Sequence, residues 1–150
     1  MDSRVAAEYY VLYRLTQLGY LALPGESEVA DLVACTANGS RVALLQVRTL
    51  EARGRIGVSR AELARTSRNR AYVFIDFAEL GADMPACFVV PAHALGVLLA
   101  AAPGWPAGVP ASALAPYREA WDLLGLGRPG QGAVAGASPS APTSPSSPGA

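Results

Sequence analysis

An Asn-Gly pair between two runs of strand-forming residues constrains this chain more than any other feature. The stretch from Val29 to Thr49 reads VADLVACTANGSRVALLQVRT, and Asn-Gly flanked by apolar runs is the strongest short-range signal for a β-hairpin. With Asn38 and Gly39 as the two central turn residues, Ala37 pairs with Ser40 and the register places Asp31 directly across from Gln46. Side chains alternate along a strand, and opposed residues share a face. One face then carries Asp31, Val33, Cys35, Val42, Leu44, Gln46 and Arg48, and the other Leu32, Ala34, Ala43, Leu45 and Val47. Both are largely apolar, as in strands covered on two sides. At its open end, the face that carries Asp31 collects an acid, an amide and a guanidinium within side-chain reach.

The segments around this hairpin read as alternating helices and strands. From Asp2 to Leu18 apolar residues recur at helical spacing, with Val5, Leu12, Leu15 and Leu18 as one stripe, Asp2 or Ser3 as the cap and Gly19 as the stop. Glu8 falls inside that stripe, which points an acid at the core side. A short strand over Tyr20 to Leu23 and a Pro24-Gly25 turn lead into the hairpin. Ser59 and Glu62 form a capping-box pattern that opens a short helix from Arg60 to Thr66. YVFIDF (Tyr72 to Phe77) and CFVV (Cys87 to Val90) read as buried strands joined by a loop, followed by a helix from Ala92 to Ala101. A last helix is expected from Pro116 to Leu124, with Tyr117, Trp121 and Leu124 on one side and Gly125 behind it. Residues 1–126 thus form one α/β domain, and the Gly/Ala/Ser/Pro-rich residues 127–150 should be a disordered tail, since they cannot bury enough apolar surface to offset ordering entropy.

Charge is informative only locally. Twelve acidic and twelve basic residues cancel, and every basic residue is an arginine. Between Glu51 and Arg70, however, Arg53, Arg55, Arg60, Arg65, Arg68 and Arg70 face only Glu51 and Glu62. Such a run can track a nucleic-acid backbone or simply be a solvated face. Two cysteines in apolar strands suggest buried reduced thiols. The N-terminal MDSRVAAEYY lacks the pattern of a secretory leader, and the apolar run Leu95 to Ala102 is too short to span a bilayer, so a soluble cytoplasmic protein with no membrane partner is expected.

Two chemistries fit the polar cluster. In the structural one, Arg48 neutralises Asp31, Gln46 bridges them, and Glu8 reaches solvent at the sheet end. In the functional one, the cluster is a metal-dependent site for phosphodiester cleavage. Mg2+ is a hard cation that takes one or two carboxylates and keeps water and substrate phosphate in its shell. Asp31 and the Gln46 side-chain oxygen would be adjacent ligands with Glu8 arriving from a helix laid over that face. Arg48 would stabilise charge on the phosphate, and Arg53, Arg55 and Arg60 would hold the DNA backbone.

A helix with a glutamate, a strand led by Asp, a hairpin, a strand ending Gln-x-basic, then a helix and a strand resembles the PD-(D/E)XK nuclease superfamily. More narrowly, VADLVA, LLQVRT, YVFIDF, CFVVP and YREAWDLL look like small bacterial members of that superfamily. The resemblance covers about Val5 to Leu124. It implies a restriction endonuclease-like core of order αβββαβ, a mixed sheet flanked by helices, a Mg2+-dependent DNA endonuclease activity, and a second copy of the chain as an allowed partner. Glu8 matches the helix acid, Asp31 the metal-binding aspartate, Gln46 the glutamate position and Arg48 the lysine. Three departures stand out: Gln46 is neutral, Ala30 replaces the proline before the aspartate, and Arg48 replaces the lysine. A guanidinium stabilises phosphate charge but does not readily exchange a proton with water. A catalytically silent nucleic-acid-binding or protein-interaction module on the same fold is the alternative that these departures favour.

The remaining candidates have ordinary readings. His93, the only histidine, is a surface or capping residue, and Asp76 an edge carboxylate. Trp105 and Trp121 are core aromatics, and Tyr9, Tyr10 and Tyr13 pack the first helix.

Overall fold

A computed structural model describes residues 2–26, 28–50, 56, 58–65, 67–78, 84–101 and 110–127. The expected disordered tail lies outside the described residues but for Gly127, as do Arg53, Arg55 and Trp105. The elements run α1 (Ser3–Gln17), β1 (Leu21–Pro24), β2 (Leu32–Cys35), β3 (Val42–Thr49), α2 (Arg60–Ala64), β4 (Arg70–Asp76), β5 (Ala86–Pro91) and α3 (Ala92–Ala101), followed by 3-10 turns at Ala111–Tyr117 and Trp121–Leu124.

The five strands form one mixed sheet in chain order. β1, β2 and β3 make an antiparallel meander, β3 and β4 are parallel, and β5 returns antiparallel to β4. The parallel pair requires a crossover between its strands, and α2 lies in that connection. The hairpin register is the expected one, with Leu32 opposite Leu45 and Cys35 opposite Val42. Its turn is wider than two residues: Thr36 N–H donates to Arg41 O at 3.1 Å and Gly39 N–H to Thr36 O at 2.8 Å. The Thr36 hydroxyl accepts the Arg41 N–H at 3.2 Å, and Gly39 takes the left-handed φ of 70°. Opening the loop by one residue on each strand leaves the register unchanged.

Each face of the sheet has its own core. On the first face Leu32, Ala34, Ala43, Leu45 and Val47 pack with Ala7, Val11 and Leu15 of α1 and with Trp121, Leu124 and Leu126. On the second, Tyr72, Phe74, Phe88 and Val90 pack with Leu95 and Leu99 of α3, with Leu114, and with Ile56 and Val58 from the crossover.

Several expectations are corrected. α1 docks through Ala7, Val11 and Leu15, not Val5, which is 42 % exposed. The small Ala7 lets the helix approach the sheet, and Leu12 and Leu18 pack from the flank. Tyr9 and Tyr13 are exposed, and only Tyr10 packs inward, its hydroxyl donating to Pro85 O at 3.2 Å. β1 starts one residue later than expected because Tyr20 turns into the core, where its hydroxyl donates to Gly127 O. The α-helix expected from Pro116 to Leu124 is instead two 3-10 turns. They are interrupted where Arg118 bridges to Phe88 of β5 and Glu119, at φ 51°, donates its N–H to Cys87 O. Capping the open edge of β5 overrides the helical pattern there. Cys87 is fully buried and Cys35 only partly so; both are unbridged.

Candidate functional site

The site forms where β2 stops and β3 continues. Asp31 leaves the ladder at this point: its N–H donates to Leu45 O at 2.9 Å, and its Oδ2 accepts the Val47 N–H at 2.8 Å. The register would give that N–H to the carbonyl of Ala30, but the chain has already turned back, with Gly25 N–H on Asp31 O. A side chain at Gly25 would collide with the Ala30 carbonyl, so this fold-back needs glycine.

The Asp31 side chain is 1 % exposed. A carboxylate so far from water requires charged partners. Arg4 of α1 donates from Nη2 to Oδ1 at 2.6 Å, and Arg48 of β3 donates from Nη1 to Oδ2 at 3.0 Å. Arg4 belongs to the helix on the first face, whereas Arg48 alternates onto the second. The carboxylate therefore sits between the two faces, beyond the end of its own strand.

Arg48 is the hub of the second face. Its Nη1 also donates to Val47 O at 2.9 Å, while Nη2 donates to Gln46 Oε1 at 3.2 Å and to Glu62 Oε1 at 2.6 Å. Glu62 is held in turn by the capping box of α2: its Oε2 accepts the Ser59 N–H at 2.9 Å, and its own N–H donates to Ser59 Oγ at 3.2 Å. Gln46 directs its amide to Val29 O at 3.3 Å. On the other side Arg4 Nε donates to Glu8 Oε1 at 3.1 Å. The result is a line of alternating charge, Glu8, Arg4, Asp31, Arg48 and Glu62, that ties α1, the end of β2, β3 and α2 together.

The charges shift one another. Hydrogen bonding to Asp31 and its negative charge raise the Arg4 pKa above its ordinary value. Burial pushes the Glu62 carboxyl up, but the Ser59 N–H and the Arg48 guanidinium more than offset it, and the net displacement is downward.

The structure thus brings Asp31, Gln46 and Arg48 together as the register implies. Glu8 joins only through Arg4, because α1 covers the face opposite Gln46 and not the shared face. Arg60 opens α2, but its side chain, like all of Arg53 and Arg55, lies outside the described residues. Among the described residues of the basic run, Arg65 and Arg70 border the site. With Gln46, Arg48, Glu62 and Tyr72 they line a cleft of about 130 Å³. Sequence reasoning missed Arg4, read Tyr72 only as part of a buried strand and Arg70 only as part of the basic run, and saw Glu62 only as a cap. The i,i+4 spacing of Arg4 and Glu8 was the one local signal. His93 is exposed in the first turn of α3, Asp76 accepts the Ala78 N–H at 2.9 Å, and Trp121 is a core residue.

The donor chemistry bears on Mg2+. Both Asp31 oxygens, the Gln46 oxygen and Glu8 Oε1 already accept guanidinium hydrogens, and the positive charges of Arg4 and Arg48 stand where a cation would. In this arrangement the residues do not fit a divalent ion. Among the described residues there is no group of three or more His, Cys, Asp or Glu placed to hold one, and no helix is long and apolar enough to cross a membrane. Compared with protein-family models, with curated proteins and with solved structures, the chain matches none.

Proposed function

We propose that this is a restriction endonuclease-like domain that binds the phosphate backbone of DNA and works without a metal ion. The observation that carries this reading is the double capture of Asp31 by Arg4 and Arg48. At this strand end, arginines supply the positive charge that a nuclease of the PD-(D/E)XK class would draw from Mg2+. Fold support comes from the order α1, β1, β2, β3, α2, β4, the αβββαβ order that the resemblance implies. Arg65 and Arg70 border the adjacent cleft and give a backbone phosphate its counter-charge.

A Mg2+-dependent DNA endonuclease is the second reading, favoured by the placement of Asp31, Gln46 and Arg48 on adjacent strand ends. It requires Arg4, whose side chain is 52 % exposed, to leave Asp31 and Arg48 to release the Gln46 oxygen. One experiment separates the two. DNA binding is followed by fluorescence anisotropy across salt, and cleavage is assayed with Mg2+ and Mn2+ for the wild type and Arg48→Lys. The expected result is binding whose logarithm falls linearly with log salt, by roughly 0.9 per phosphate contact, and no cleavage by the wild type. Metal-dependent cleavage that Asp31→Asn abolishes would establish the nuclease instead. Cleavage confined to Arg48→Lys would identify a site whose chemistry was lost with the lysine, and absence of DNA binding would reject both readings.

A further inference from the structure

The residues that line the cleft beside the charge line include two with buried donors that no partner among the described residues satisfies. Tyr72 is fully buried, and its hydroxyl has no hydrogen-bond partner. Arg70 gives Nη2 to Val29 O at 2.7 Å, yet its buried Nε has no partner either. Both residues line the same cleft, and two places apart on β4 they share a face. A buried polar group normally finds a partner, because leaving it unpaired forfeits the hydrogen bonds it had in water. Two unpaired donors on residues of one cleft call for an acceptor that enters through it.

We propose that this cleft is a subsite for a terminal phosphate group, one oxygen of which accepts from Tyr72 Oη and Arg70 Nε. The inference deepens the DNA-binding reading and rests on it for the identity of the chain that carries the phosphate. Charge agrees with an anion: Arg48, Arg65 and Arg70 line the cleft against Glu28 and Glu62. Arg48 contributes mainly field, since four of its five donors, the two on Nη1 and the two on Nη2, are already in hydrogen bonds. Size permits one. A cleft of about 130 Å³ is several times the space of about 10–15 Å³ that a single water needs, so a group of phosphate size is not excluded by volume. Tyr72 stacks on Phe74 with centroids 6.1 Å apart, which holds the hydroxyl in place. Burial raises the pKa of that hydroxyl, so at neutral pH it remains a donor.

The depth of Tyr72 selects the end of a strand over its middle. A group that reaches a fully buried hydroxyl must enter end-on, as a phosphate monoester does. An internal diester carries chain on both sides and stays at the rim with Arg65.

The test compares an oligonucleotide bearing a 5′-phosphate with the same strand ending in a hydroxyl, by anisotropy, for the wild type and Tyr72→Phe. Thermal melts with inorganic phosphate are run alongside. Tyr72→Phe keeps the stack and removes only the unpaired oxygen, so without ligand it should melt no lower than the wild type. The wild type is expected to prefer the phosphorylated end by about tenfold, and the variant by less than about threefold, the loss of one charge-assisted hydrogen bond. Equal affinity of the wild type for both ends overturns the subsite and leaves DNA binding standing. Stabilisation of the wild type but not the variant by inorganic phosphate, with no oligonucleotide bound, supports the subsite with free phosphate as its source and removes the DNA reading. No response to either probe overturns both.

Discussion

The Asp31 carboxylate does the work of a strand carbonyl: its Oδ2 receives the Val47 N–H at 2.8 Å, at the point where β2 has ended and β3 still needs an acceptor. The same oxygen receives Arg48, so a single side chain closes the backbone ladder and anchors the charge line.

Asp31→Ala removes the acceptor and strands a backbone N–H with a half-buried guanidinium. Breaking a buried ion pair from one side costs about 3–5 kcal/mol. Arg4→Ala removes a partner that is 52 % exposed and leaves Asp31 with Arg48 and the Val47 N–H, so its cost should fall below that of a buried pair broken from one side. Urea unfolding should therefore show the smaller loss of stability for Arg4→Ala. Similar losses would mean that Arg4 is as structural as Asp31.

Glu62 predicts the acid limb of stability. Its carboxyl lies below the ordinary 4.5 in the folded protein, so the folded state binds this proton more weakly than the unfolded chain does. The contribution is fully present above about pH 4.5 and is lost as pH falls through the lower folded value. The Glu62 side chain is 37 % exposed, and solvent screening keeps the effect small. Melts of Glu62→Gln between pH 6 and pH 3, chosen as the range about that transition, should show a shallower fall than the wild type. An acid limb identical in the two proteins would remove Glu62 from the pH response.

Glu119 inverts a familiar substitution order. Its φ of 51° is costly for a residue with a β-carbon. It is held there by Arg14, at 2.6 and 3.1 Å, and by the Trp121 indole N–H at 2.7 Å. Glu119→Ala loses these bonds and retains the strain, whereas Glu119→Gly loses the bonds and relieves it. Thermal or urea unfolding should find the glycine variant more stable than the alanine variant by about 1 kcal/mol. The reverse order would show that the backbone relaxes once Glu119 is gone.

Taken by itself, the sequence determined whatever depends on neighbours along the chain. The Asn38-Gly39 turn fixes the pairing of Leu32 with Leu45, and hence the shared neighbourhood of Asp31, Gln46 and Arg48. Ser59 and Glu62 fix the start of α2, and the run from Ala92 to Ala101 is the helix α3. These signals are local, since a turn or a cap is settled within a few residues. Only the tertiary structure decided how α1 is rotated on the sheet, which set Val5 outward and put Arg4 on Asp31. It likewise replaced a helix near the C-terminal end by two 3-10 turns against β5, and brought Tyr72 and Arg70 to one cleft with Glu62. The physical reason is common to all three. An arginine or a tyrosine can satisfy its donors in many ways along a sequence, and which acceptors it meets, or fails to meet, is set by elements that touch only after the chain has folded.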